Sequence, residues 1–295
     1  MYGPYSWILI ALAAGLTGCL VLKLLNAGGS VRAFLPSGKA GTASRIIMGL
    51  LLMAVSGGMT AAAGELAALT VPLVHARVWG GVATLIFCTA MSGKSLRGLA
   101  GMGKLLLPVM AAAFLLCLRL PEAETQLDKM SVFPVFTAVL RAVGYCGMNV
   151  LLAAEVVCEA GRDENTAERR RTALGAGLLL GMVLALGNGA LLRHNDIAVG
   201  APLPVVALLR AYGKAGFYLA AAVLYLAVVT TLLASLRGLC ALLLPHFPSR
   251  AKTLSALAAA AVSLMGFENI VAGAYPALGW LSLLLIFLPA FHRRN

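Results

Sequence analysis

Residues 215–244 read AGFYLAAAVLYLAVVTTLLASLRGLCALLL. Leu, Ala and Val dominate the run, its one charged residue is Arg237, and Pro245 and Pro248 stop it. Apolar and polar residues do not alternate, so the period-2 signature of a half-exposed strand is missing. A helix of about 20 apolar residues crosses a hydrocarbon core of about 30 Å, whereas a barrel strand needs only about 10. Inside a bilayer no water reaches the backbone, so a crossing segment satisfies its own polar groups or closes into a barrel. A run this long and this even is a membrane-spanning helix.

The pattern recurs along the chain. Apolar runs cover about Ser6–Leu25, Ala43–Val71, Val78–Ser95, Met102–Leu118, Val132–Cys158, Thr172–Leu192, Ala215–Leu244, Thr253–Phe267 and Ile270–Phe291. They predict an all-α integral membrane protein with about nine transmembrane helices in one domain, residues 1–295. The eighth run is short. The segment His194–Lys214, punctuated by Pro202 and Pro204, reads as a re-entrant or surface helix around Val205–Leu209, too short to span.

Composition agrees. The 295 residues are 61% hydrophobic and 12% charged, with a mean hydropathy of +0.92, where a soluble domain carries roughly 25% charged residues. The net charge of +12 comes from Lys and Arg spread over short loops rather than a basic domain, so the expected partner is the lipid bilayer and not nucleic acid. Cys19, Cys88, Cys117, Cys146, Cys158 and Cys240 all fall in apolar segments and form no CxxC pair, which reads as packing rather than as a metal site or disulfide framework. No basic region followed by a short apolar core and a cleavage site opens the chain.

Alternate loops divide the Lys and Arg residues sixteen to six, with Arg141 inside a helix. The positive-inside rule places the sixteen in the cytoplasm, with the C-terminus inside and the N-terminus outside. An uncharged N-terminus outside is hard to insert, and a tenth helix before Met1 removes the difficulty.

Ionisable groups within spans are costly and usually face a cavity or a partner. Arg141 lies about 13 Å below the outer end of the fifth run and Glu65 about 9 Å below that of the second. Those depths allow a structural ion pair, or contact of either with a charged solute or coupling ion. Glu155, near the other end of the fifth run, reads as an interfacial snorkelling residue. Between them, Gly144-Tyr145-Cys146-Gly147-Met148-Asn149 makes a poor straight helix. A break there would line a cavity and offer freed backbone groups to a solute; the alternative is that Gly144 and Gly147 permit close helix packing. Thr230 and Thr231, central in the seventh run, offer oxygen ligands to a small cation, or bond back to carbonyls one turn earlier. Asn188, Glu268 and Asn269 are weaker candidates. With no nucleophile motif, metal-spaced His/Glu set or P-loop in the sequence, an enzyme is not expected, and transport would be passive or gradient-driven.

The order of these features resembles the YkvI-type membrane proteins, a bacterial branch of the amino acid–polyamine–organocation transporters with the LeuT fold. The resemblance covers nearly all of the chain. It is carried by Gly144-Tyr-Cys-Gly-Met-Asn149, Pro204-Val-Val-Ala-Leu-Leu before Tyr218, Leu224-Tyr-Leu-Ala-Val-Val-Thr-Thr231, and Gly266-Phe267 followed by Tyr275-Pro-Ala-Leu-Gly279. It implies two inverted half-repeats, here 6–119 and 132–291, with four and five helices. Ser6–Leu25 then matches the family's second helix, and the family's first helix is missing.

The same resemblance implies a multi-pass protein of the bacterial inner (cytoplasmic) membrane. It would be a secondary transporter of a small polar or zwitterionic solute, such as an amino acid, coupled to Na⁺ or H⁺. The solute site is expected at Gly144, Tyr145, Gly147 and Asn149, with Arg141 and Glu65 tuning charge, and Na⁺ at Thr230 and Thr231. No other cofactor is expected. In the family the first helix supplies half of each site. The sequence therefore leaves open a start further upstream, or a non-transporting membrane protein, an assembly partner or sensor, that keeps the fold.

Overall fold

The apolar runs fold as helices in the computed structural model, which describes residues 6–35, 38–92, 96–120, 135–194, 204–275, 277–282 and 285. The helices are α1 (Ser6–Ala27), α2 (Val31–Phe34), α3 (Gly38–Thr70), α4 (Ala76–Met91), α5 (Leu96–Leu118), α6 (Val135–Leu152), α7 (Ala154–Ala160) and α8 (Thr166–Arg193). After them come α9 (Pro204–Leu209), a 3-10 turn (Arg210–Tyr212), α10 (Gly213–Leu243) and α11 (Ala251–Ser263). A short α12 (Phe267–Asn269) continues as a π-helical turn (Ile270–Ala274), and residues 277–282 are helical again. Among the described residues there is no strand.

Ser6–Ala27, Gly38–Thr70, Thr166–Arg193 and Val205–Leu243 are each long and apolar enough to cross a membrane. Two bent pairs are apolar enough when taken together, each a broken span or a re-entrant loop: Ala142–Leu152 with Ala154–Ala160 at 60°, and Ala251–Ser263 with Phe267–Ala274 at 94°. Ala76–Met91 and Leu106–Leu118 are shorter apolar helices. The fifth expected run is thus two helices, and the eighth and ninth meet at a sharp corner; residues 276, 283, 284 and 286–291 of the ninth lie outside the described residues. Gly266 makes that corner, with φ 81° and ψ 153°, a region that side chains disfavour. Elsewhere the ends are set by side chains. Ser30 caps α2 by accepting from the Arg32 amide, and Asn165 with Glu168 forms a capping box at the start of α8. That box carries α8 through Arg169–Arg171, six residues before the apolar run begins.

Small residues bring the helices together, as they do where lipid removes the hydrophobic incentive to associate. On α8 a Cβ at Gly177 would lie 2.6 Å from the Ala14 carbonyl oxygen of α1. Between α3 and α10, Ser56 donates to Ser235 at 2.9 Å, both fully buried. Leu24, Leu51, Leu52, Leu151 and Leu239 join α1, α3, α6 and α10 in one core. Outward, Ile8, Leu178 and Trp79 are two-thirds exposed or more, a surface suited to lipid. Four cysteines are buried, whereas Cys19 is exposed.

Gly177→Ala is therefore expected to destabilise the detergent-solubilised protein by about 1–2 kcal/mol, the cost of overpacking against backbone. Gly175, two residues before the contact, has open space around it. Gly175→Ala is expected to stabilise by up to about 1 kcal/mol through helix propensity. Thermal unfolding of the two variants should move in opposite directions.

Candidate functional site

Helix α6 and its continuation α7 hold most of the residues singled out in the sequence. Gly144–Asn149 is helical throughout, and the chain breaks four residues further on, at Ala153 (φ −91°, ψ 2°). The glycines serve packing instead. A Cβ at Gly144 would sit 3.4 Å from the carbonyl carbon of Gly279, and Ser282 Oγ donates to the Gly279 carbonyl at 2.6 Å and lies 3.4 Å from that of Gly144. Gly147 is buried as well. The expected unwinding at Gly144–Asn149 is thus corrected. Two small residues in a closely packed crossing lose no helical bonds, so nothing forces them to unwind.

Tyr145 and Asn149 stand one turn apart on the same face, both exposed, with Asn149 Nδ2 donating to the Tyr145 carbonyl at 2.8 Å. Position 141 shares that face by its spacing; the Arg141 side chain lies outside the described residues.

Beyond the break, α7 is held on two sides. Glu155 accepts from the Val31 amide at 2.9 Å and from Ser30 Oγ at 3.2 Å, which ties α7 to the α1–α2 connection. It is half-buried and engaged, not snorkelling. One turn later Glu159 pairs with Arg237 of α10 at 2.5 Å. Glu155 also packs 3.9 Å from where a Cβ of Gly238 would stand.

On α10, Thr230 Oγ1 donates to the carbonyls of Leu226 (3.0 Å) and Ala227 (2.9 Å), and Thr231 Oγ1 to that of Ala227 (2.9 Å). Back-bonding is the arrangement the sequence offers as the alternative to a cation site. It does not exhaust the hydroxyls: each gives its proton away and keeps lone pairs. Two hydroxyl oxygens and one carbonyl therefore gather on one side of α10. Thr231 lies seven residues before Gly238, two turns along the same face, which at Gly238 meets Leu52 of α3 and, further off, Glu155 of α7. Among the described residues no hydrogen bond joins the Thr pair to Tyr145 or Asn149; α7 and α10 meet two turns away, at Arg237 and Gly238.

Among the described residues Glu65 pairs with Arg77; the expected pair with Arg141 rests on a side chain outside them. Arg77 Nη2 lies 2.8 Å from Glu65 Oε2. Helix α4 begins at Ala76, so Arg77 sits in its first turn, opposite Glu65 across the α3–α4 hairpin. The pair lines a pocket of about 220 Å³ with Gly266, Phe267, Glu268 and Asn269. Asn269 donates to the Met265 carbonyl and Asn188 to Ser6 Oγ. Among the described residues no group of three or more His, Cys, Asp or Glu is placed to hold a metal.

The sequence reading missed the Glu159–Arg237 and Ser30–Glu155 contacts. Arg237 carried a usable signal: it is the one charge within residues 215–244, and an ionisable group inside a span implies a partner.

No family model and no curated protein matches the chain. Among solved structures, the chain is similar to one titled "Inward facing conformation of Mhp1" with a TM-score of 0.68 and 18% identity, over 98% of this chain and 70% of that one. Mhp1 is a LeuT-fold transporter. What is shared at this identity is the architecture: the chain is an all-α, multi-pass membrane protein of the LeuT fold.

Proposed function

We propose that this chain is a secondary transporter of a small polar or zwitterionic solute, coupled to Na⁺ or H⁺, within the YkvI-type branch that its sequence resembles. The observation that carries the reading is the 60° break at Ala153 in an otherwise apolar crossing. Broken helices persist at membrane depth only where protein or a water-filled cavity covers the freed backbone groups, and transporters use such breaks at their sites. Tyr145 and Asn149 expose polar groups just before the break, and positions 141, 145 and 149 form one face along which a solute would pass. Thr230, Thr231 and the Ala227 carbonyl are the oxygens that would take part in holding Na⁺, the remaining ligands coming from elsewhere. Glu65, already paired with Arg77, acts on charge at a distance rather than as a direct ligand.

The test is uptake in liposomes by the full chain across a panel of amino acids and other small polar solutes, with imposed Na⁺ or H⁺ gradients. Thr231→Ala is expected to raise the cation concentration for half-maximal uptake about tenfold while leaving the thermal midpoint within a few degrees. A panel without any cation-dependent uptake would sink the proposal. It would favour the second reading, a non-transporting partner or sensor, for which the packed glycines and back-bonded threonines speak.

A further inference from the structure

A groove of about 440 Å³ runs along the outside of the bundle between α3, α10 and α11. Its lining is sorted by chemistry along its length. Thr42 and Arg45 lie in the first turns of α3, and His246 follows the end of α10. From there Gly49 and Met53 continue the same stripe of α3, over buried Leu239 and Leu242 of α10. From Thr42 to Met53 is eleven residues, about 16 Å along the helix, roughly half the hydrocarbon core. Gly49 opens the groove: a Cβ there would touch nothing within 4 Å.

The polar end is positive, and among the described residues no carboxylate pairs with Arg45. Arg45 is exposed, and its hydrogen bonds go to neutral acceptors, the Gly41 carbonyl (3.2 Å) and Thr42 Oγ1 (3.4 Å). No Asp or Glu occurs in 38–53 or in 239–258, while Lys39, Arg250 and Lys252 lie in these stretches. A long apolar channel with an exposed guanidinium at its mouth matches a molecule with one apolar tail and an anionic head. Basic pockets between transmembrane helices bind phospholipid head groups in this way.

We infer that this groove is a binding site for an anionic phospholipid, with one acyl chain along Gly49, Met53 and Leu242 and the head-group phosphate at Arg45 and His246. The inference is independent of the transport proposal, because its readout is binding.

The test titrates the delipidated full chain in detergent with dioleoyl phosphatidylglycerol or with phosphatidylcholine of the same chains, following the thermal midpoint, which rises as a ligand binds the folded state. Phosphatidylglycerol is expected to act at about tenfold lower concentration than phosphatidylcholine. Arg45→Gln is expected to erase that difference. Gly49→Leu, which fills the open channel, is expected to weaken the response to phosphatidylglycerol about tenfold. Lys104→Gln, at an exposed lysine on α5, is expected to change nothing. Inorganic phosphate alone is expected to leave the midpoint unmoved. Equal potency of the two lipids on the native chain, an undiminished response in both Arg45→Gln and Gly49→Leu, or a phosphate response equal to that of phosphatidylglycerol would each overturn the assignment.

Discussion

Glu159→Lys is expected to cut solute uptake about thirtyfold, and adding Arg237→Glu is expected to restore most of it. Glu159 and Arg237 meet at 2.5 Å, with the arginine side chain 17% exposed and the glutamate 35%. Removing one partner of a fully buried pair costs about 3–5 kcal/mol because the other charge is left without compensation. The partial exposure of Glu159 lets water relieve some of that cost, so about 2 kcal/mol is the sounder figure. At about 1.4 kcal/mol per decade, 2 kcal/mol is roughly thirtyfold in a conformational equilibrium. The consequence is specific because of where the pair sits. Glu155, one turn earlier on α7, holds the α1–α2 connection, so the Glu159–Arg237 bond joins that unit to α10. Two cations facing each other there would drive the two apart and hold the protein in one arrangement. Uptake measured per inserted molecule, beside the thermal midpoint, separates this from loss of folded protein. Undiminished uptake by the single variant, or no recovery in the exchanged pair, would sink the idea that the contact governs the cycle.

The long crossings were legible because nothing competes with their pattern. The even apolar runs over α1, α3 and α10 leave a soluble fold no polar surface to use, and their observed bounds fall within a few residues of the expected ones. Ends that extend past the apolar run were harder. Helix α8 starts at Thr166 rather than Thr172 because Asn165 and Glu168 cap it, a signal present in the sequence but outside the hydropathy pattern. Starting the third run at Val78 left Arg77 in a loop and hid its partnership with Glu65.

The break at Ala153 was not legible. Leu152-Ala153-Ala154-Glu155 is a strong helix-forming stretch, without Gly or Pro. Glu155 is bonded to Ser30 and Val31, more than a hundred residues away, and contacts of that kind have no local sequence signature. Conversely Gly144 and Gly147 look like a break and are not one. A glycine's tolerance for close approach and its tolerance for unwinding read alike until the opposing residue, here Gly279, is known.

Gly144→Leu is expected to give the largest loss of all, at least a hundredfold in uptake, with a destabilisation of about 3 kcal/mol at the upper end of overpacking costs. The opposing atoms set the size of the effect. Most small-to-large changes meet a side chain that can turn aside, whereas Gly144 faces the backbone of Gly279, which has none. A bare Cβ fits at 3.4 Å from the Gly279 carbonyl carbon, so Gly144→Ala is expected to keep most uptake. The further carbons of leucine have no room and would push the helix over residues 277–282 away, pulling Ser282 from the Gly144 carbonyl that it meets at 3.4 Å. Position 145 follows directly in the helix, so the same displacement shifts the exposed face that carries Tyr145 and Asn149. The alanine and leucine variants therefore test shape against mere presence of a side chain. If both behave alike, whether both active or both dead, the crossing does not work through close approach. If leucine alone fails, the glycine that the sequence offered as a hinge is confirmed as the contact that seats the proposed solute face.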